Sequence, residues 1–166
     1  DYAIYQKAIC DGLLKNYQDK INGLKLLETD YSSSPYISSV SFEIAEAYKA
    51  MKDDENAITY YKKTLEKYPN SSVANDCVTS IGLIYYNRKE DDKAFEYFDR
   101  IVKQNPQSDA AQSVLPLIKE IFKTKNDPEA LENYFTSIGS SVNSSELDAQ
   151  YFEKARKLYY DDKNCE

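Results

Sequence analysis

The sequence of 166 residues repeats at an interval of 37 residues. Segment 57–61 (AITYY) aligns with segment 94–98 (AFEYF), an acidic cluster precedes each segment, and a proline follows each alanine by twelve residues. A period between about 20 and 50 residues is typical of stacked supersecondary units, each of which contacts its neighbours. The repeat therefore predicts an array of such units.

Each period contains two apolar stripes with the spacing of an α-helix. In the second period the stripes are formed by Ile44, Ala45, Tyr48 and Met51, and then by Ala57, Ile58, Tyr61 and Leu65. The acidic cluster between them can cap the second helix, because carboxylates accept hydrogen bonds from its free N–H groups. Sustained alternation of apolar and polar residues is absent, so we predict no sheet. The predicted fold class is all-α, an α-solenoid of stacked antiparallel helical hairpins.

This register divides the chain into the units 1–35, 36–72, 73–109, 110–146 and a truncated 147–166. We predict one array across 1–166, with about four and a half hairpins. The chain begins at Asp1 without an initiator methionine, and the fifth unit stops inside a hairpin, so we expect a fragment of a longer protein. Pro116 falls within the first helix of the fourth unit, where it predicts a kink or a late helix start near Ser113.

The hairpin pattern resembles the tetratricopeptide repeat. That motif has a small residue in the first helix and an aromatic residue three positions later. An alanine follows early in the second helix, then a bulky residue four positions later and a terminal proline. The second unit supplies Ala45, Tyr48, Ala57, Tyr61 and Pro69, and the third supplies Gly82, Tyr85, Ala94, Phe98 and Pro106. The resemblance implies a right-handed superhelix.

The outer units match the motif less well. The fourth aligns at an offset of 36 and has Ile118, Ile121, Ala130, Tyr134 and Val142, whereas the first has Ala8, Asp11, Lys20 and Leu24. The long period and the Tyr68-Pro69 link are similar to those of bacterial envelope repeats. That similarity favours a periplasmic or outer-membrane-associated location over a cytoplasmic one, although the sequence leaves the compartment open.

Composition excludes several kinds of chemistry. The chain has no histidine and only 4 glycines, so histidine-based triads and glycine-rich phosphate loops are absent. Its net charge of −7 argues against nucleic-acid binding, which needs a basic surface. No apolar run is long enough for membrane insertion. The acidic clusters lack the alternation of a calcium loop, and the 3 cysteines are widely separated. We therefore expect no enzyme activity, no metal and no cofactor.

The resemblance implies that the first helices of the hairpins line a concave face that binds a partner. Carried over by position, the candidate binding residues are Tyr5, Ile9, Phe42, Glu46, Lys49, Leu83, Tyr86, Asn87, Lys119, Phe122 and Lys123. We expect an aromatic row among them to contact the partner, formed by Tyr5, Phe42, Tyr86 and Phe122. Some chaperone adaptors of this family grip a C-terminal carboxylate with Lys and Asn. Those positions here are occupied by Tyr5, Ile9, Glu43, Asp76 and Ser80, which provide no cation.

Two functions remain open at this point. The first, which the sequence favours, is a non-catalytic scaffold that binds a protein or peptide partner on the concave face. The second is a structural spacer or oligomerising segment of a larger envelope protein, with end-to-end stacking of repeats between copies. A contiguous exposed apolar patch would favour the first.

Overall fold

The computed structural model describes residues 1–160, and these form nine α-helices and no strand. The helices are α1 (Tyr2–Leu13), α2 (Tyr17–Asp30), α3 (Ile37–Ala50), α4 (Asp54–Lys67), α5 (Ala74–Asn87), α6 (Asp91–Gln104), α7 (Asp109–Thr124), α8 (Pro128–Ser137) and α9 (Ser144–Tyr160). The all-α prediction is confirmed. Within residues 1–160, none of the helices combines the length and the apolarity that crossing a membrane requires.

The turn between the two helices of a hairpin has the same backbone geometry in four hairpins. Lys15, Lys52, Lys89 and Asn126 all have positive φ, between 54° and 63°, and they lie 37 residues apart. In the second hairpin the N–H of Lys52 donates to the carbonyl of Lys49, and that of Asp53 donates to the carbonyl of Tyr48. This is a Schellman motif, which ends a helix through one left-handed residue. Its recurrence fixes the register of the repeat.

Side-chain caps start several helices. The Asp53 carboxylate accepts from the N–H of Asn56 at 3.2 Å, and the Asp127 carboxylate accepts from the N–H of Ala130 at 3.2 Å. Pro128 follows Asp127 at the first helical position, where a missing N–H costs nothing. The capping role predicted for the acidic clusters is confirmed at these two positions.

The turn geometry corrects the predicted register of the fourth hairpin. Asn126 follows Lys89 by 37 residues, not 36, so Leu131 and Phe135 occupy the positions of Ala94 and Phe98. Both Leu131 and Phe135 are buried, like Ala94 and Phe98. Ala130 and Tyr134, which the sequence assigned to those positions, are only half-buried.

The same shift applies in the first helix of the fourth hairpin, where Lys119 and Phe122 replace Ile118 and Ile121 at the motif positions. The helix α7 begins at Asp109, capped by the Ser108 hydroxyl, and continues through Pro116. The predicted late start near Ser113 is therefore wrong. Helix α8 has 10 residues, compared with 14 in α4 and α6.

The chain divides into two compact units, and the boundary lies within α6, between Ala94 and Phe95. The prediction of one array across 1–166 stays a prediction. In unit 1 (residues 1–94), α1 packs against α2, α2 against α3, α3 against α4 and α4 against α5. Its core includes Ala8, Ile21, Leu24, Leu27, Val40, Ile44, Ala57 and Tyr61.

In unit 2, which begins at Phe95, α7 packs against α8 and α8 against α9. Its buried residues include Phe98, Val102, Val114, Ile118, Ile121 and Leu131. Helix α9 contributes no buried residue. The last predicted element, the truncated end of the fifth unit at 161–166, lies outside the described residues.

Candidate functional site

The candidate site of unit 1 is the face formed by α1, α3 and α5, the first helices of three hairpins. These helices lie side by side because each second helix packs on both its own partner and the next hairpin. The helices are also close enough to interact electrostatically: burial has the largest effect in raising the pKa values of Tyr5 in α1 and Cys77 in α5, and the α3 carboxylates Glu43 and Glu46 add to these increases. We call this surface the first-helix face.

Tyr5 and Ile9 represent α1 on this face, and both are half-buried. The ring of Tyr5 stacks on Tyr36 with centroids 4.6 Å apart and an interplanar angle of 12°. Burial, followed by the nearby Glu43 carboxylate and Tyr36, raises the pKa of the Tyr5 hydroxyl. Tyr5 therefore stays neutral and offers an edge of its ring and a hydroxyl donor.

Phe42, Glu46 and Lys49 represent α3, and they form a connected group with Tyr61 of α4. The Tyr61 hydroxyl donates to Glu46 Oε1, which also accepts from Lys49 Nζ at 2.6 Å. The Phe42 ring lies 6.0 Å from that of Tyr61, and Lys49 Nζ lies 5.8 Å from the same ring. Burial, reinforced by the bond to Glu46, raises the pKa of Tyr61 far above its usual value. The group holds Glu46 in place while 31% of its side chain stays exposed.

Leu83, Tyr86 and Asn87 represent α5. Leu83 is 38% exposed, although most apolar residues of α5 are buried. The half-buried Tyr86 ring lies 5.4 Å from Lys89 Nζ, and Asn87 is exposed at the last helical position. Leu83 follows Glu46 by one period of 37 residues, so both project from the same register position of neighbouring first helices.

The predicted residues of unit 2 form a separate group on α7. Lys119 Nζ lies 3.0 Å and Lys123 Nζ lies 2.6 Å from the Glu146 carboxylate of α9. These two cations lower the pKa of Glu146 below its usual value, the contact with Lys123 having the larger effect. A cleft of about 320 Å³ lies beside them, next to Pro116 and Phe135. Both lysines are therefore engaged with α9.

Phe122 is placed differently from the sequence interpretation. Its ring packs 5.4 Å from Phe95 and 5.7 Å from Tyr134, in an aromatic cluster inside unit 2. The 37-residue register explains this, because Phe122 follows Tyr48 by two periods, and Tyr48 likewise stacks on Tyr60 at 5.5 Å. Phe122 belongs to the contact between first and second helices, so we remove it from the aromatic row expected to contact a partner.

The sequence interpretation also missed two contacts next to the first-helix face. Lys20 is buried at the position where the second and third hairpins have alanine, and its Nζ lies 2.5 Å from Glu43 Oε2. Tyr36, just before α3, stacks on Tyr5. A lysine at an alanine position was visible in the sequence, but nothing there indicated which carboxylate neutralises it.

The described residues offer little for metal or thiol chemistry. Among residues 1–160, no group of three His, Cys, Asp or Glu side chains is placed to hold a metal ion. Burial raises the pKa of the Cys77 thiol to about 12, so this cysteine is protonated at neutral pH and a poor nucleophile. What remains on the first-helix face is apolar area beside fixed polar groups.

The tetratricopeptide repeat pattern matches residues 39–71 and 80–108, which include all of α4 and α6 and most of α3 and α5. These two segments are tetratricopeptide repeats. The matched segments are the two units that fit the motif best by sequence, and this agreement confirms the resemblance.

Among solved structures, 24 chains match. One is a Bacteroides ovatus protein called a "putative protein binding protein", whose crystal structure has a TM-score of 0.52 and 19% sequence identity. The match covers 95% of the present chain and 80% of that chain. At this identity the likeness shows the shared fold alone. No curated protein matches the sequence.

Proposed function

We propose that the chain is a non-catalytic protein-interaction scaffold and that unit 1 binds a peptide segment of a partner along the concave first-helix face. Three findings support the proposal: the tetratricopeptide repeats, the fold shared with a protein named for protein binding, and the exposed apolar residues of this face. The exposure of Leu83 is the main support for the proposal, because most other apolar residues of α5 are buried.

The chemistry of the face indicates the kind of segment that fits. Leu83, Ile9 and the edges of Tyr5 and Tyr86 offer apolar contact, which favours a partner segment with two or more apolar anchors. Glu46 Oε1 accepts from Tyr61 and Lys49, and 31% of the Glu46 side chain stays exposed. A cationic or amide side chain of the partner is therefore preferred beside Glu46.

A C-terminal carboxylate is a poor ligand for this face. The positions that would grip it are occupied by Tyr5, Ile9, Glu43, Asp76 and Ser80. Lys20, the nearest cation to Glu43, is already paired with it at 2.5 Å. A ligand carboxylate would therefore meet no free cation at these positions and would lie near the exposed Asp76 carboxylate, so we expect internal segments to bind better than free C-termini.

The test uses a displayed library of random peptides selected on the purified chain. Selected peptides are then titrated against wild type, Leu83→Glu and the matched control Leu26→Glu by calorimetry. Leu83 and Leu26 are exposed to similar degrees, 38% and 44%, but Leu26 lies on the second helix α2. We expect Leu83→Glu to weaken binding at least about tenfold and Leu26→Glu to leave it unchanged.

Two outcomes would contradict the proposal. One is equal binding by all three proteins, and the other is a larger loss in Leu26→Glu than in Leu83→Glu. Circular dichroism of each variant verifies that the helices are retained. Because both substitutions place a glutamate at an exposed leucine, a general effect of charge would weaken both variants alike.

The alternative function, a spacer or oligomerising segment, is favoured by one observation in unit 2. Helix α9 exposes Phe152, Tyr159 and Tyr160 by 68%, 59% and 70%, which is unusual for aromatic residues of a repeat. A periplasmic or outer-membrane-associated location also stays a proposal, which rests on the Tyr68-Pro69 link and the long period. Fractionation of the source cells with an antibody against the chain tests it.

A further inference from the structure

Helix α9 has one packed side and one unpartnered side. On the packed side Glu146 pairs with Lys119 and Lys123, and Gln150 is half-buried. Phe152 follows Gln150 by two residues, which turns it by about 200° and places it on the opposite side of the helix. That opposite side comprises Asp148, Ala149, Phe152, Ala155, Arg156 and Tyr159, all of which are exposed.

Helix α9 differs from α7, the first helix of the preceding hairpin, because the corresponding positions of α9 are exposed. Val114, Ile118 and Ile121 of α7 are buried, and the residues one period later are Tyr151, Ala155 and Leu158. In α9 Tyr151 and Leu158 are 42% and 43% exposed, and Phe152, on a neighbouring side of the helix, is 68% exposed. Among residues 1–160, the side of α9 that carries Phe152 is therefore left without a cover. Exposed aromatic area of this kind favours a protein contact.

We propose that a second copy of the chain covers this surface, with the two α9 helices antiparallel around a two-fold axis at Phe152. Asp148 and Arg156 lie four residues before and four residues after Phe152, about 6 Å away in each direction along the helix. An antiparallel copy centred on Phe152 places each Asp148 opposite the Arg156 of the second copy. The interface thus has two equivalent ion pairs flanking two Phe152 rings, as an isologous contact requires.

The two alanines on the exposed side of α9 are also placed symmetrically about Phe152. Ala149 lies three residues before Phe152, and Ala155 lies three residues after it. In the antiparallel pair each Ala149 therefore faces the Ala155 of the second copy. Small side chains at both positions allow the two helices to approach closely beside the central rings.

The charges also favour a second copy over an unrelated helix. Asp148 has no ion-pair partner within residues 1–160, and Arg156 is paired only with Glu153 of its own helix, at 2.9 Å, with both side chains more than half exposed. Such exposed pairs contribute little, so Arg156 can turn to Asp148 at small cost. The net charge of −7 on each copy opposes association, and the two ion pairs offset part of that repulsion at the contact.

The size of the contact sets its strength. A helix of 17 residues is about 25 Å long, and one helix pair buries less than the roughly 1,600 Å² of a standard stable interface. We therefore expect a concentration-dependent dimer. This inference is independent of the first-helix face of unit 1, which the second copy does not need to contact.

Sedimentation equilibrium of the full chain, from about 1 µM to about 1 mM, tests the inference. We expect wild type to dimerise and Phe152→Asp to raise the dissociation constant at least about tenfold. Leu13→Asp is the matched control, since Leu13 is 80% exposed in unit 1, and it should dimerise like wild type.

A charge exchange tests the symmetry itself. Asp148→Arg and Arg156→Asp each place like charges opposite each other in a homodimer, so each variant alone should dimerise at least about tenfold more weakly. An equimolar mixture of the two variants restores both ion pairs and should form a heterodimer with the affinity of wild type.

A monomeric wild type at every concentration would overturn the inference. So would a dimer that is indifferent to Phe152→Asp, or a mixture that dimerises no better than its components. Circular dichroism of every variant distinguishes a lost contact from a lost fold.

Discussion

The first and second hairpins of unit 1 have the same backbone register and different chemistry at the same positions. Lys15 and Lys52 adopt the same left-handed turn, with φ of 63° and 62°. Four residues after the cap position, however, the second hairpin has the buried Ala57, and the first has Lys20. The two hairpins therefore pack their helices together with different side chains at the same repeat position.

The first hairpin makes room for its lysine in two ways. Gly12 lies beside the stem of Lys20, and a Cβ added to it would lie 2.8 Å from Lys20 Cδ. Glu43 then neutralises the ammonium at 2.5 Å. One period later, Lys49 occupies the position of Gly12, and Ser80 occupies the position of Glu43. These two residues are compatible with an alanine at position 57. The comparison shows that a repeat position constrains volume and charge together with its neighbours.

The largest expected effect on stability comes from exchanging the lysine and the alanine between positions 20 and 57. Ala57→Lys places a buried ammonium opposite Ser80 and beside Lys49, so we expect it to lower the free energy of unfolding by about 3–5 kcal/mol. Lys20→Ala leaves Glu43 without its partner, but Glu43 is 23% exposed, so we expect a loss of about 1–2 kcal/mol. Urea denaturation followed by circular dichroism measures both.

A transplant sharpens the same comparison. Adding Lys49→Gly and Ser80→Glu to Ala57→Lys rebuilds the arrangement of the first hairpin in the second, and we expect it to recover part of the lost stability. Ser80→Glu alone should destabilise, because it buries a carboxylate without a cation. If the triple variant is no more stable than Ala57→Lys, the two positions do not act as a unit.

An intermediate effect concerns Glu28, which joins the two hairpins. Burial alone would raise the pKa of the Glu28 carboxyl, but hydrogen bonds from Lys63 and Ser41 lower it below its usual value of 4.5. A lowered pKa in the folded state stabilises the protein above pH 4.5, and the stabilisation is lost as pH falls through the folded value. Glu28→Gln should therefore lower the free energy of unfolding at pH 7 by about 1–2 kcal/mol.

The difference between wild type and Glu28→Gln should shrink as the pH falls below 4.5. Glu66→Gln serves as the control, because Glu66 is exposed on α4, and it should differ little from wild type at any pH. Denaturation curves across this pH range provide the measurement. A gap between wild type and Glu28→Gln that stays constant down to acid pH would exclude the proposed role of the ionised carboxylate.

The smallest expected effect tests what the two hairpins share. Lys15→Gly and Lys52→Gly relieve the left-handed backbone of each turn, and we expect each to stabilise the chain by about 0.5 kcal/mol. Thermal denaturation should show similar gains for the two variants. Opposite signs at these positions would mean that the turns are not equivalent despite their matching φ values.

Much of the fold could be predicted from the sequence because helical spacing, caps and turns are local. The motif positions from Ala45 to Phe98 placed two hairpins correctly, and the acidic clusters indicated where second helices begin. The fourth hairpin was displaced by one residue because Ala130 offered an alanine at an offset of 36. The recurring left-handed residues, Lys15, Lys52, Lys89 and Asn126, were the better guide, but lysine gives no sign of that geometry.

The candidate site was less predictable, because its contacts join distant parts of the chain. The packing of Phe122 on Phe95 and Tyr134, and the pairing of Lys119 and Lys123 with Glu146, depend on how helices face each other. A position in a repeat indicates the face of a helix. It does not indicate which side chains another element already engages.

The most direct test of the first-helix face is methyl NMR of the chain with ¹³C-labelled leucine methyl groups, titrated with a peptide selected from the display library. Leu83 and Leu26 are reporters of one residue type on a first and a second helix, and single substitutions assign their resonances. We predict that the Leu83 methyl resonances shift in proportion to peptide occupancy while those of Leu26 stay in place. Shifts at Leu26 without shifts at Leu83 would contradict the account.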